Sequence, residues 1–281
     1  MIGKTVLVTG ANSGVGKVTA RELARMGANV VMVARSRERG EKALAEVQKV
    51  SKNGNAKLML SDLSSQQSIR ALAAQFKAEH DRLDVLVNNA GAMFTNRSES
   101  VDGYEMTFAL NHMGYFLLTD LLLDMLKASV PARIVNVASA AHSVGSVDFD
   151  DLQREKEYSG MQVYGQSKMM NILFTNELAR RMQGSGVTAN SLHPGFVRSN
   201  FGRKNNGIIG SLLMPIAQLF AINEDKGAET QIYLASSPEV AGVTGKYFDK
   251  GHPHETHPFA QDVTAQKKLW EVSETAVLST T

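Results

Sequence analysis

Tyr164 and Lys168 stand four residues apart in Tyr164-Gly165-Gln166-Ser167-Lys168, where a helical pattern begins, so their side chains share one face. A phenol with its ordinary pKa of about 10 is a poor base at neutral pH, and an ammonium close by favours the phenolate. Such a pair can hand a proton to an oxygen on which negative charge develops, or remove one in the reverse direction. The same spacing also describes an ordinary surface pair. What gives it weight is its flanks: Arg133-Ile134-Val135-Asn136-Val137-Ala138-Ser139 upstream and His193-Pro194-Gly195 downstream, each ending an apolar run.

A second constellation lies near the N-terminus. Thr9-Gly10-Ala11-Asn12-Ser13-Gly14-Val15-Gly16 follows the first strand-like run and opens directly into a helix. Glycines there permit a tight turn, let backbone N–H groups approach a pyrophosphate, and let helix pack close to strand. The helix N-terminus adds partial positive charge for an anion. A glycine-rich turn without a ligand is the plain alternative, and the position after the first strand argues against it.

The spacing G-x-x-x-G-x-G, together with Asp62-Leu63 after the third strand run and Asn88-Asn89-Ala90-Gly91 after the fourth, resembles the short-chain dehydrogenase/reductase family. The Tyr-x-x-x-Lys segment and its flanks extend that resemblance over nearly the whole chain. It implies a Rossmann-type fold and a reaction between a carbonyl and an alcohol on a small molecule. Ser139, Tyr164 and Lys168 map to the family's catalytic group, with Ser139 bonding the substrate oxygen as charge develops. Asn111, in Leu110-Asn111-His112-Met113-Gly114, maps to an asparagine that helps hold a water linking lysine to solvent; a helix-kink role bonding backbone groups is the structural alternative.

The resemblance also implies the residues that hold a nicotinamide dinucleotide. They are Gly10, Asn12, Ser13, Gly14, Val15 and Gly16 at the phosphates, Asp62 and Leu63 at the adenine, and Asn89, Ala90 and Gly91 beyond. Tyr164 and Lys168 serve the nicotinamide ribose; Pro194, Gly195, the Val197 backbone and the Ser199 hydroxyl approach the carboxamide, with Ser199 where threonine is commoner. At the end of the second strand an acidic residue would favour NAD(H), but this chain has Ala34-Arg35-Ser36. Arg35 offers a planar guanidinium to a 2′-phosphate, so NADP(H) is expected over NAD(H). Lys17 and Arg37 either add to that positive environment or are solvated helix-face cations.

Ser139 and Tyr164 lie 25 positions apart because Ala140–Gln162 carries an insertion that includes Asp148-Phe149-Asp150-Asp151-Leu152. This arrangement, with Ser139-Ala140-Ala141-His142, Met169-Met170-Asn171-Ile172-Leu173-Phe174 and Lys268-Leu269-Trp270-Glu271-Val272-Ser273, is similar to the retinol dehydrogenase and WW-domain oxidoreductase branch. A second interruption, Ser199–Glu224, reads as a substrate lid. Its Phe201, Ile208, Ile209, Leu212, Leu213, Met214 and Phe220 suit a medium-sized apolar substrate, or simply pack on the core. Met93, Phe94 and Met161 are candidates for the same pocket.

The elements that must position these residues follow one grammar: an apolar β-branched run, a Gly or Asp turn, then apolar residues at helical spacing. Strands are expected at Thr5–Thr9, Asn29–Ala34, Lys57–Leu60, Val85–Val87, Ala132–Ala138, Val187–Leu192 and Gly245–Phe248. Helices are expected at Gly16–Met26, Arg37–Val50, Ser65–His80, Val101–Lys127, Tyr164–Gln183 and Asp225–Ala235. Right-handed crossovers then build a doubly wound parallel sheet with helices on both faces and the site at the carboxyl ends of the strands. No linker divides the 281 residues, so one α/β domain spanning 1–281 is expected.

Composition removes several classes. A net charge of +2 with interspersed signs gives no nucleic-acid face, and the absence of cysteine removes disulfides and thiolate chemistry. The apolar stretch Ile208–Phe220 is too short and too interrupted to span a bilayer, and an apolar strand begins by Val6 with no leader before it, so a cytoplasmic protein is expected. A second copy of the chain is the one macromolecular partner left open. His252, His254 and His257 form a cluster, but the expected chemistry needs no metal. An extended nucleotide-sugar epimerase or dehydratase would also use a Tyr-x-x-x-Lys pair, yet too little chain follows the sixth strand for its substrate domain. A cofactor-binding regulatory or scaffold protein without turnover is the other alternative.

Overall fold

The computed structural model describes residues 1–51, 54–195 and 223–278. Among them the strands form one sheet, in the order β3-β2-β1-β4-β5-β6-β7-β8. These are β1 (Thr5–Thr9), β2 (Asn29–Ala34), β3 (Ala56–Leu60), β4 (Val85–Asn88), β5 (Ala132–Val137), β6 (Val187–His193), β7 (Tyr247–Asp249) and β8 (His252–Pro253). All neighbours are parallel except β7 and β8. Every residue of β1 and β4 is buried, as the continuous apolar runs require of strands covered on both faces.

Two sets of helices cover the sheet. One face packs α1 (Gly14–Arg25), α2 (Arg37–Val50) and α7 (Glu224–Ser236) around Leu23, Val47, Leu234 and Phe248. The other packs α3 (Gln66–Glu79), α5 (Gly114–Ala128), α6 (Gly160–Arg181) and α8 (Val263–Leu278) around Phe76, Phe116, Phe174 and Trp270. Strand order reverses between β1 and β4, so a crevice opens where their carboxyl ends diverge, the place where such sheets take ligands. No helix among the described residues is long and apolar enough to cross a membrane.

Three helix expectations change, and the short antiparallel β8 was not expected. The helix expected over Val101–Lys127 starts only at Met106, because Ser100 and Gly103 form a turn and the buried Glu105 carboxylate accepts the Thr107 and Phe108 N–H groups. It is then broken by a π turn at Ala109–Met113 between the short α4 (Met106–Phe108) and α5. The helix expected to begin at Tyr164 begins at Gly160, one turn earlier. Finally α8 was not expected, although Ala265, Leu269, Ser273 and Val277 bury one face at helical spacing.

The Ala140–Gln162 insertion is not a free loop. After a 3₁₀ turn at Ala140–Val144, Arg154 Nε donates to Gln166 Oε1 (2.6 Å) and Gln166 Nε2 donates to the Leu152 carbonyl (2.8 Å). Gln153 accepts the Glu105 N–H, and the Tyr158 hydroxyl bonds the Phe94 carbonyl and Glu105. The insertion therefore buttresses the 92–95 segment beside the crevice. The expected lid from Ser199 onward, with Phe201 and Ile208–Phe220, lies outside the described residues up to residue 222, and its end forms the start of α7.

Candidate active site

β5 delivers Ser139 to the crevice and α6 delivers Tyr164 and Lys168. The Ser139 hydroxyl stands close enough to the Tyr164 phenol to exert a lowering effect on its pKa. Lys168 is buried, with Nζ 5.5 Å from the Tyr164 ring centre and 5.8 Å from that of Tyr115. Its Nζ donates to the Val137 carbonyl at 2.9 Å, and Asn171 Nδ2 bonds the same oxygen at 3.3 Å. Burial raises the phenol of Tyr164 to about 12, against the lowering effect of Ser139. Burial also pushes the Lys168 ammonium down to about 7. Burial thus works against the phenolate, and the phenol keeps its proton at neutral pH.

Asn111 occupies the π turn. Its Nδ2 donates to the Ala92 carbonyl (2.9 Å) and to Ser167 Oγ (3.0 Å), while Oδ1 accepts the Ala92 N–H (2.9 Å). The kink role is thus real, and π turns of this kind often sit at functional sites. A Cβ built at Gly91 would lie 3.2 Å from Asn111 Oδ1 and 3.3 Å from Lys168 Nζ, so the asparagine turn, the kink and the lysine meet at one point.

The glycine turn lies across the crevice from β4. Gly10 and Gly14 adopt φ of +65° and +59°. A Cβ at Gly16 would stand 2.3 Å from Asn89 Nδ2 and 2.6 Å from the Gly10 carbonyl, so only glycine lets α1 approach so closely. Side chains of Ser36, Ser65 and Asn223 cap α2, α3 and α7, but Ser13 does not cap α1 with its side chain. Asn12 is partly buried, Ser13 exposed and Val15 partly buried around that helix start. This cradle fits the phosphates of a dinucleotide.

The remaining expected residues fall around the same crevice. Leu63 is buried, with its carbonyl 2.6 Å from where a Gly114 Cβ would stand. Asp62 Oδ1 accepts from the Ser64 N–H (3.0 Å) and Oγ (2.6 Å), and Oδ2 lies 3.9 Å from Arg35. That pair is solvent-exposed and contributes little, so Arg35 is available to another anion. Lys17 pairs with Glu46 (2.7 Å) and Arg37 with Glu41 (3.4 Å), which makes them helix-face cations. Asn89 and Ala90 accept positions beside Gly10, and Gly195, at φ +80°, donates its N–H to His193 Nδ1 (3.0 Å) just after Pro194. Val197 and Ser199 lie outside the described residues.

Met93 and Phe94 are partly buried and Met161 is exposed. The histidines at 252, 254 and 257 lie on and after β8; among the described residues no group of three His, Asp or Glu is placed to hold a metal ion.

Sequence reasoning missed a network behind the cradle. Thr9 Oγ1 accepts the Asn89 and Ala90 N–H groups (2.8 and 3.0 Å), and Asn89 Nδ2 donates to the Thr9 carbonyl (2.8 Å). Buried Gln231 of α7 donates to Asn89 Oδ1 (3.3 Å) and accepts from Thr19 of α1 (3.1 Å). A glutamine 142 residues from its partner carries no local sequence signal. Val144, exposed on the turn after Ser139, was likewise not singled out.

The short chain dehydrogenase family model matches residues 4–207. The chain belongs to this family. It is therefore an oxidoreductase acting on alcohol and carbonyl groups, of the kind that uses a nicotinamide cofactor. It is 46% identical to human retinol dehydrogenase 14, over 99% of this chain and 87% of that one. It is also 46% identical to human retinol dehydrogenase 13, over 96% and 83%. Among solved structures, an uncharacterized protein from Mycobacterium paratuberculosis superposes with a TM-score of 0.80 at 34% identity, covering 98% of this chain and 94% of that one. The Pseudomonas aeruginosa RhlG/NADP active-site complex gives 0.68 at 25% identity, covering 88% and 94%.

Proposed function

We propose that this short-chain dehydrogenase interconverts a carbonyl and an alcohol on a medium-sized apolar substrate with NADP(H), Tyr164 acting as general acid and base. The observation that carries the reading is the Tyr164 phenol set beside the buried Lys168, whose Nζ lies 5.5 Å from the Tyr164 ring centre, with the Ser139 hydroxyl close enough to act on it. When bound, the nicotinamide supplies or accepts the hydride. Ser139 donates to the substrate oxygen as it gains charge, a bond stronger in the transition state than before it. Tyr164 passes its proton to that oxygen in reduction and takes it back in oxidation. Lys168, through its charge, lowers the cost of the phenolate left behind, and Asn111 holds the proton path from Lys168 toward solvent.

Gly10 to Gly16, with Asn12, Ser13 and Val15, would hold the phosphates; Asp62, Leu63, Asn89, Ala90 and Gly91 the adenosine half and its approach; Pro194, Gly195, Val197 and Ser199 the carboxamide. Arg35 supports NADP(H), since it stands at the end of β2 with only a weak, exposed partner. Val144 and Met161, exposed apolar side chains on the two segments that carry Ser139 and Tyr164, support an apolar substrate. The names of the relatives make retinol and retinaldehyde the first probes, beside simpler apolar aldehydes and ketones. The expected result is turnover in which NADPH and NADP serve better than NADH and NAD. Turnover only with NADH, or only on strongly polar substrates, would overturn the proposal.

A further inference from the structure

His142 lies three residues beyond Ser139, is buried, and belongs to none of the groups assigned above. Its ring nitrogen Nδ1 is 2.7 Å from the Ser139 carbonyl oxygen, and its backbone N–H also donates to that oxygen at 3.1 Å. A carbonyl can only accept, so the Nδ1 contact fixes a proton on Nδ1. Nε2 is then the acceptor, and the His257 backbone N–H points to it at 3.4 Å. The ring meets Tyr247 of β7 edge-on, with centroids 5.0 Å apart. One imidazole therefore ties the backbone of Ser139 to the far end of the sheet. Burial lowers the imidazole's proton affinity, which suits a ring that accepts at one nitrogen.

The segment that His142 closes is seated directly on the tyrosine helix. A Cβ at Gly145 would come within 2.1 Å of the Gly165 carbonyl carbon, and one at Gly165 within 2.8 Å of the Ala141 carbonyl. Gly145 in turn donates its N–H to the His142 carbonyl at 3.2 Å. Ser139 Oγ, which accepts the Ala141 N–H at 3.2 Å, has its direction set by the same turn. Two backbones in van der Waals contact leave the Ser139 hydroxyl little freedom relative to Tyr164, provided that the turn itself holds its shape.

We infer that His142 is a positioning residue: its Nδ1–H bond to the Ser139 carbonyl holds the 139–145 turn so that the Ser139 hydroxyl meets Tyr164 and the substrate oxygen. This rests on the function proposed for Ser139 and Tyr164. His142 touches no reacting atom; it acts through Ser139.

Two substitutions separate the bond from the packing. His142→Phe keeps a ring against Tyr247 and removes the donor, whereas His142→Asn shrinks the ring but retains a donor at the δ position. The expected result is a kcat about tenfold lower in His142→Phe, the loss of roughly one 1.4 kcal/mol hydrogen bond from the transition state, with the cofactor KM unchanged and kcat restored in His142→Asn. Crystal structures should show the Ser139 hydroxyl displaced from the Tyr164 phenol in His142→Phe and left in place in His142→Asn. Wild-type kcat in His142→Phe, or equal losses in both variants, would overturn the inference. If the wild-type protein has no turnover, the functional reading fails, and the two crystal structures alone decide the positioning claim.

Discussion

At the scale of single residues, the charge balance of the site is set by burial more than by pairing. Lys168 is held near 7, far below the 10.5 of a free lysine. The unfolded chain therefore binds more protons than the folded one between about pH 7 and 10.5, and stability contributed at this position rises with pH through that window. Thermal unfolding followed across it should show that slope reduced in Lys168→Met; an unchanged slope would place the ammonium in a better-solvated position. Arg35→Ala should weaken NADPH binding at least about tenfold, the scale of a lost charge-assisted bond, and barely alter NADH binding, as fluorescence titration can measure. The residue types that do this chemistry were legible in the sequence because Tyr164, Lys168, Ser139 and the glycines sit in short runs. Gln231 and His142 were not, because their meaning lies in a fold-made contact.

At the scale of elements, the π turn and the glycine turn carry the geometry. His112 lies fully buried in the π turn, its Nε2 bonded to Ser273 of α8 at 2.8 Å and its ring among Phe108, Phe116 and Phe174. Burial pushes its pKa down to about 3 from 6.5, so the folded chain keeps it neutral while the unfolded chain protonates. Stability should fall as pH drops from about 6.5 toward 3, and His112→Phe should flatten that loss in denaturant titrations at neutral and acidic pH. On the other side of the crevice, Gly16→Ala forces a methyl into the space of Asn89 Nδ2 and the Gly10 carbonyl. A cost of about 1–3 kcal/mol is expected, seen both in unfolding and as weaker cofactor binding. The strands were legible because buried parallel strands read as unbroken apolar runs. The π turn was legible only as a helix-kink alternative at Asn111, since Leu110-Asn111-His112-Met113-Gly114 keeps helical spacing through a one-residue bulge.

At the scale of the whole molecule, α8 closes the face that carries α5 and α6. Trp270 stacks on Phe174 (5.8 Å) and meets Phe116 edge-on (5.0 Å), while the Arg181 guanidinium, held by Glu177, lies 4.2 Å from its ring. Trp270→Ala should cost about 3–5 kcal/mol in denaturant unfolding. The doubly wound order was readable from the alternation of strand and helix, whereas α8 was hidden because a late helix after two short strands breaks that alternation. The sheet places the carboxyl end of β5, which leads into Ser139, one strand beyond the β1–β4 reversal. The central claim is that Tyr164 moves the proton while the cradle near Gly10–Gly16 supplies most of the hold on the cofactor. Tyr164→Phe should therefore bind NADPH at most about tenfold more weakly, the scale of one lost ribose hydrogen bond, yet reduce an apolar aldehyde at least about 10²-fold more slowly in a single-turnover measurement at saturating NADPH. Equal rates in the two proteins would contradict the account.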